Sequence, residues 1–166
     1  GETPPDWTPW WGVEEAIRRG NHVLVLHEYW ADKGPSEMWG WWGGRSLKCP
    51  WQVPILIAEC GVDIYVKDGS VPQNQRGWQT NISGQRYASE LQEYVTRMAV
   101  DTRFIGACPF ACDFASAEWW SFDLEPAYKA ILALPQVKKE EHTVYLPIIE
   151  NGNDGEDGGN GATPDY

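Results

Sequence analysis

The stretch that decides the fold is Val53-Pro-Ile-Leu-Ile-Ala-Glu-Cys-Gly61. A short apolar run rich in β-branched residues is typical of a strand that is buried on both faces of a parallel sheet. The run ends in Glu59, and Gly61 favours a turn directly after it. A carboxylate at the C-terminal end of a buried strand is the usual position of a catalytic residue in an α/β barrel. The alternative is a Glu that merely begins a solvated loop.

Two more strand patterns and three helical patterns surround this stretch. The strand patterns are His22 to Leu26, continuing into residues 27–30, and Phe104 to Phe110; the helical patterns are Trp11 to Arg19, a helix capped by Ser83, and a helix opened by Pro126. Helices and strands therefore alternate along the chain. Such alternation predicts right-handed βαβ units and an α/β domain with a parallel sheet.

The chain divides into three parts. Residues 1–142 form the predicted α/β domain, residues 143–150 are an apolar extension, and residues 151–166 are an acidic, glycine-rich linker. Pro147 argues against a central strand in the extension. Within the domain, the loop from Gly61 to about Ile82 has the length that is common among functional loops.

Charge and hydropathy exclude several classes of partner. The 166 residues carry a net charge of −11, and no Lys or Arg follows Lys139, so we expect neither nucleic acid nor an anionic membrane as a partner. No apolar run is long enough to span a bilayer. The start, Gly-Glu-Thr-Pro-Pro, does not resemble a signal peptide, so we expect a mature chain or an internal piece.

Eleven tryptophans are the most unusual feature of the composition. Aromatic rings pack on the apolar faces of sugars, so this enrichment fits a carbohydrate site, but it fits a core or a buried interface equally well. Trp39, Trp41 and Trp42 lie in a Gly-rich loop and are candidates for an interface. Trp78 lies in the long loop after Glu59, where it either lines a cleft or anchors the loop.

The cysteines Cys49, Cys60, Cys108 and Cys112 show no Cys-x-x-Cys spacing, so a zinc or redox motif has little support. One disulfide and free buried thiols are both compatible with the sequence. We therefore expect no metal and no other cofactor.

Three strand ends together resemble those of a known family. His27-Glu-Tyr29 ends one strand, Ile57-Ala-Glu59-Cys-Gly61 ends the next, and Phe104-Ile-Gly-Ala-Cys-Pro-Phe110 is followed by Glu118-Trp-Trp-Ser-Phe-Asp123. Over residues 11–135 the chain resembles the C-terminal part of a (β/α)8-barrel glycoside hydrolase. The family is the large retaining clan that includes cellulases and β-glycosidases. The resemblance implies a partial TIM barrel with about three C-terminal parallel strands and flanking helices.

The resemblance also implies roles for the matching residues. Glu59 corresponds to the nucleophile, Tyr29 to the tyrosine that hydrogen-bonds it, and His27 to the histidine that lines the sugar site. The aromatic floor of that site corresponds to Trp119 or Trp120, with Phe110 as the structural alternative. Trp30, which follows Tyr29, and Trp78, in the long loop after Glu59, complete the substrate-binding candidates.

The alternation of side chains along strands supports the placement of His27, Tyr29 and Glu59 in one site. His27 and Tyr29 are expected on one face of their strand, and Ile55, Ile57 and Glu59 on one face of theirs. If these faces meet at the same rim, the Tyr29 hydroxyl reaches the Glu59 carboxylate. The alternative is that His27 and Tyr29 only satisfy loop carbonyls.

The sequence departs from the family in one respect. A retaining glycosidase needs two carboxyl groups about 5–5.5 Å apart, and the clan usually supplies the acid/base from an Asn-Glu after the fourth strand. The chain contains no Asn-Glu, and strands one to five are missing from it. Asp63 and Asp113, at strand ends, are either a second carboxyl, loop caps or ligands of sugar hydroxyls.

The predicted function is therefore a glycosidase-like retaining site with Glu59 as nucleophile, incomplete in this chain alone. The alternative is a non-catalytic carbohydrate-binding or structural assembly module built from barrel pieces. Expected partners are a carbohydrate and, because three parallel strands leave two open edges, either further copies of the chain or a second chain that supplies the missing strands. The tail before the linker resembles bacterial multidomain extracellular proteins, which implies an extracellular, bacterial protein.

Overall fold

The computed structural model describes residues 6–31, 33–35, 45–65, 69–110, 116–138 and 143–144. The predictions for Trp39, Trp41, Trp42, Cys112 and Asp113, and for residues 145–166, fall outside these ranges.

The described residues form a mixed α/β structure around a parallel sheet of three strands in the order β1-β2-β3. In chain order the elements are α1 (Trp11–Arg19), β1 (Leu24–Trp30), α2 (Arg45–Lys48), β2 (Ile55–Val62), α3 (Trp78–Asn81), α4 (Gly84–Met98), β3 (Phe104–Pro109), α5 (Tyr128–Leu132), and an antiparallel pair β4 (Val137–Lys138) and β5 (Thr143–Val144). Short 3-10 turns lie at Thr8–Trp10, Gln73–Gln75, Trp120–Phe122 and Glu125–Ala127. The predicted α/β class, the parallel sheet and the flanking helices are thereby confirmed.

The longest of the described helices, α4, begins where the sequence predicts. The Ser83 hydroxyl accepts a hydrogen bond from the Arg86 backbone N–H at 3.2 Å and so caps the helix. Its apolar stripe, spaced at three and four residues, is buried against β2 and β3. The stripe consists of Tyr87, Ala88, Leu91, Tyr94, Val95 and Met98. This packing places the main core on one face of the sheet.

The opposite face of the sheet, which we call the open face, is less covered. Val25 of β1 is 50% exposed and Ile105 of β3 is 48% exposed, whereas Ile55 and Ile57 on the α4 side are almost inaccessible. An apolar side chain left half in water forgoes about 25 cal/mol per Å² of the surface it could bury. The open face is therefore the part of the sheet best suited to further packing.

A bulge in β2 interrupts the alternation of side chains that the sequence predicts for this strand. Leu26 pairs with Ile57 but the next residue, His27, pairs with Glu59, so Ala58 is an extra residue in the strand. The insertion moves Glu59 away from the face of Ile57 and onto the face of His27. The prediction that Ile55, Ile57 and Glu59 share a face is wrong, because a perfect two-residue alternation cannot anticipate an inserted residue.

The α4 side of β1 carries a buried carboxylate. Glu28 is only 2% exposed and accepts hydrogen bonds from the Ser46 N–H and hydroxyl at 2.9 and 2.8 Å and from the Tyr94 hydroxyl at 2.6 Å. Burial is the main cause of the raised pKa of Tyr94, followed by the charge of Glu28, so this phenol remains a donor. Donors from two separate elements satisfy the carboxylate and tie α2 and α4 to the sheet.

A close backbone approach fixes the segment that carries Trp119 and Trp120. A Cβ atom on Gly77 would lie 2.2 Å from the Ser121 carbonyl oxygen, and the Gly77 N–H donates to the Ser121 hydroxyl at 3.0 Å. No side chain fits there unless one of the two backbones moves.

We expect Gly77→Ala to lower the free energy of unfolding by about 1–3 kcal/mol, because the added methyl overpacks two backbones. Gly12→Ala is the matched control, since nothing lies within 4 Å of its Cβ position in helix α1. That variant is expected to be neutral or to gain up to about 1 kcal/mol. Urea unfolding of both variants measures the difference, and equal midpoints would contradict the close approach.

Candidate functional site

The site is built at the C-terminal ends of β1 and β2. The Tyr29 hydroxyl donates a hydrogen bond to Oε2 of Glu59 at 2.7 Å, joining residues that are 30 positions apart in the sequence. The contact that the sequence predicts is therefore present. It forms because the two strands are parallel neighbours and both side chains lie on the open face.

His27 contacts the same oxygen. Its Nδ1 lies 3.2 Å from Oε2 of Glu59, a contact that becomes an ion pair when the imidazole is protonated. The Glu59 side chain is 33% exposed and that of His27 is 52% exposed, so solvent and small molecules reach both. No residue in the described ranges hydrogen-bonds Oε1 of Glu59.

Burial raises the pKa of Tyr29, and the hydrogen bond to Glu59 raises it further. The phenol consequently keeps its proton throughout the range in which proteins are folded. A protonated phenol that donates to a carboxylate oxygen stabilises negative charge on that oxygen and fixes its orientation.

An aromatic wall extends from the Tyr29 ring. Phe110 meets Tyr29 edge to face at 6.1 Å between centroids, and Trp119 meets Phe110 edge to face at 5.6 Å. Phe122 is buried behind both rings and packs against each of them. Phe110 and Trp119 are therefore linked to the Glu59 carboxylate through the ring of Tyr29. Trp119 is partly exposed.

Trp120 lies beside this wall without a described contact to Glu59. Its side chain is 42% exposed, and its backbone carbonyl accepts a hydrogen bond from the Gln79 amide at 2.8 Å. The same amide donates a second hydrogen bond to the backbone carbonyl of Asp123 at 2.9 Å. The position of Trp120 is thus set by its backbone, with the indole directed to solvent.

Two other predicted binding residues lie in the core, and the structure corrects their assignment. Trp30 is 2% exposed, stacks on Tyr94 and donates to Glu90 at 2.8 Å, all on the α4 side of the sheet. Trp78 is 3% exposed and stacks on Tyr87 with an interplanar angle of 7°. Trp30 follows Tyr29 by one residue and therefore points to the opposite face. Trp78 anchors the long loop, which was the alternative considered from the sequence.

An ion pair at the same rim could not be inferred from the sequence. Arg76 donates to both carboxylate oxygens of Asp63, with Nε at 2.7 Å from Oδ1, and its Nη1 donates to Gln73 at 2.7 Å. Of the roles considered for Asp63, that of a loop cap is the closest to these contacts, since the carboxylate holds the side chain of Arg76 in the same loop. The two partners are 13 positions apart in the sequence, and no periodic pattern connects them.

The described residues contain no group of His, Cys, Asp and Glu side chains that could hold a metal ion. Cys49, Cys60 and Cys108 are free thiols, and burial raises the pKa of each. Raised pKa values make these thiols poor nucleophiles at neutral pH. None of the described helices has the length and apolar character needed to cross a membrane.

Comparisons with known proteins found no match for this chain among protein-family models, curated proteins or solved structures.

Proposed function

We propose that the chain carries the nucleophile half of a retaining glycosidase site and corresponds to the C-terminal part of a (β/α)8 barrel. The observation that carries the proposal is Glu59 at the C-terminal end of a parallel strand, with Oε2 held by Tyr29 at 2.7 Å and Oε1 left without a described partner. This is the rim at which barrel enzymes place their catalytic residues.

The proposed reaction begins with attack of Oε1 of Glu59 on the anomeric carbon of a sugar. The new C–O bond forms as the glycosidic bond breaks, and the leaving oxygen takes the electron pair of that bond. Tyr29 and His27, both on Oε2, keep the carboxylate oriented during the attack. Water hydrolyses the glycosyl ester in the second step and restores Glu59.

The proposed sugar lies against the aromatic wall. Phe110 packs edge to face on the Tyr29 ring, Trp119 packs on Phe110, and the exposed Trp120 follows Trp119 in the chain. Sugar rings present apolar C–H faces that pack on such surfaces. The ligand class proposed is accordingly a poly- or oligosaccharide, and the setting is extracellular.

The acid/base carboxyl is proposed to come from outside the described residues. Asp63, the carboxylate that follows β2, is engaged at both oxygens by Arg76 and is not available to protonate a leaving group. The exposed apolar residues of the open face are where additional barrel strands would pack. We propose that those strands come from a further copy of the chain or from a second chain.

Covalent trapping tests the nucleophile without requiring the missing acid. Dinitrophenyl fluoroglycosides carry a leaving group that departs without protonation, and their fluorine slows hydrolysis of the glycosyl ester. We expect the mass of the intact chain to rise by one fluoroglycosyl group for at least one sugar of a panel. Peptide mapping is expected to place the label on Glu59.

Two variants give this trapping experiment its controls. Glu59→Gln keeps the side-chain shape but removes the nucleophilic oxygen, so labelling is expected to disappear. Tyr29→Phe leaves the carboxylate in place and is expected to slow labelling by about 10²-fold, the scale of losing one preorganised donor. Labelling at another residue, or equal labelling of the Gln variant, would reject Glu59 as nucleophile.

The engagement of Asp63 by Arg76 also favours the second candidate, a non-catalytic carbohydrate-binding or assembly module. Such a module would bind oligosaccharides but give no covalent label with any sugar of the panel. The trapping experiment and a binding titration therefore separate the two functions.

A further inference from the structure

The loop after β2 presents an exposed aromatic ring that the proposed site does not use. Tyr65 lies three residues beyond the end of β2 and is 59% exposed. The guanidinium carbon of Arg76 lies 4.8 Å from the centre of its ring. One face of the ring is therefore covered by a cation, and the exposed area belongs to the other face and the edges.

The support beneath this ring is rigid. Arg76 is fixed by Asp63 and Gln73, and the side chains of Arg76 and Asp63 are only 17% and 18% exposed. The Ile64 N–H donates to the Arg76 carbonyl at 2.9 Å, which joins the two backbones next to the ring. A ring held in place loses little conformational freedom when a ligand stacks on it.

Asp63, which holds Arg76 beneath the Tyr65 ring, also contacts the strand that carries Tyr29, the partner of the proposed nucleophile. The Asp63 N–H donates to the Trp30 carbonyl at 2.9 Å, and Trp30 directly follows Tyr29. The charge of Asp63 also contributes to the raised pKa of Tyr29, after burial and Glu59, as expected of a neighbouring carboxylate. Tyr65 and Glu59 are thus carried by one strand end and its first loop.

We infer that the Tyr65 ring is a platform for a second sugar of the ligand, beyond the sugar that contacts Glu59. The inference rests on the proposed function. Because Asp63 neutralises the charge of Arg76, the platform carries no net charge, and the ligand class that fits is a neutral oligosaccharide. Tyr65 is a binding residue in this scheme, and Arg76 positions it.

Calorimetric titration with the monosaccharides and the hexasaccharides of glucose, xylose and mannose tests the inference. Tyr65→Ala is expected to weaken hexasaccharide binding roughly tenfold, the scale of one lost stacking contact. Monosaccharide binding at Glu59 and covalent labelling by a fluoroglycoside are expected to stay as in the parent chain, because a single sugar does not reach the platform. Tyr65→Phe keeps the ring and is expected to bind the hexasaccharide within about twofold of the parent.

The outcomes separate this inference from the proposed function. Equal hexasaccharide affinity in Tyr65→Ala and the parent, or an equal loss for both ligand lengths, would overturn the platform while labelling of Glu59 stood. If the parent bound no saccharide and took no label, the proposed function would fall and the platform with it. Thermal unfolding of Tyr65→Ala verifies the fold, and the exposure of this side chain predicts little change.

Discussion

A dinitrophenyl glycoside without fluorine is expected to give one rapid equivalent of dinitrophenolate from the isolated chain, followed by slow turnover. The burst requires only Glu59, because this leaving group departs without a proton. Hydrolysis of the glycosyl ester requires a base to activate water, and no described carboxylate beside Glu59 is free to act as one, since Arg76 engages Asp63. An acid/base group is worth on the order of 10²–10⁴ in rate, so turnover without one is expected to be slower by about that factor.

Adding azide to this experiment shows whether the slow phase is limited by the activation of water. An anionic nucleophile needs no proton removed, so azide is expected to raise the slow phase by about 10²-fold or more and to yield a glycosyl azide. Glycosides with alkyl or sugar leaving groups are expected to remain uncleaved with or without azide. Steady turnover without azide, abolished by Glu59→Gln, would show that a second carboxyl lies within this chain.

The second large effect that we expect is association of the chain with itself through the open face. Val25 and Ile105 leave about half of their surface in water, and β1 and β3 are the edge strands of the described parallel sheet. Apolar side chains that stay in water cost about 25 cal/mol per Å² of exposed surface. The summed cost of several such side chains approaches the free energy of unfolding of a domain. The chain is therefore expected to sediment as a species heavier than its 18.8 kDa monomer at micromolar concentration.

Charge introduced on the open face tests whether this face makes the contact. The double variant Val25→Asp with Ile105→Asp is expected to sediment as a monomer. Val100→Asp with Leu132→Asp is the matched control, because those residues are 80% and 49% exposed outside the three-stranded sheet. A monomeric parent chain, or equal association of both double variants, would contradict the expectation.

The amino-acid sequence alone determined the elements with strong local patterns. The apolar run around Ile57 predicts β2 since burial on both faces leaves a continuous hydrophobic stretch. The Ser83 cap and the stripe through Leu91 predict α4 because helical spacing and capping are local properties of the chain. The sequence also placed Tyr29 and Glu59 at the same rim, as parallel strands bring their C-terminal ends together. The hydrogen bond between them additionally requires the bulge in β2.

Tertiary structure alone decided how several side chains are directed and partnered. The extra residue Ala58 turns Glu59 onto the open face, and alternation within one strand carries no information about a bulge that arises from pairing with its neighbours. Alternation with Tyr29 sets the direction of Trp30, but the partner of its indole, Glu90 of α4, lies 60 positions away and is known only from the tertiary structure. The pair of Asp63 and Arg76 joins residues across a loop of irregular backbone, where spacing in sequence has no fixed relation to distance in space.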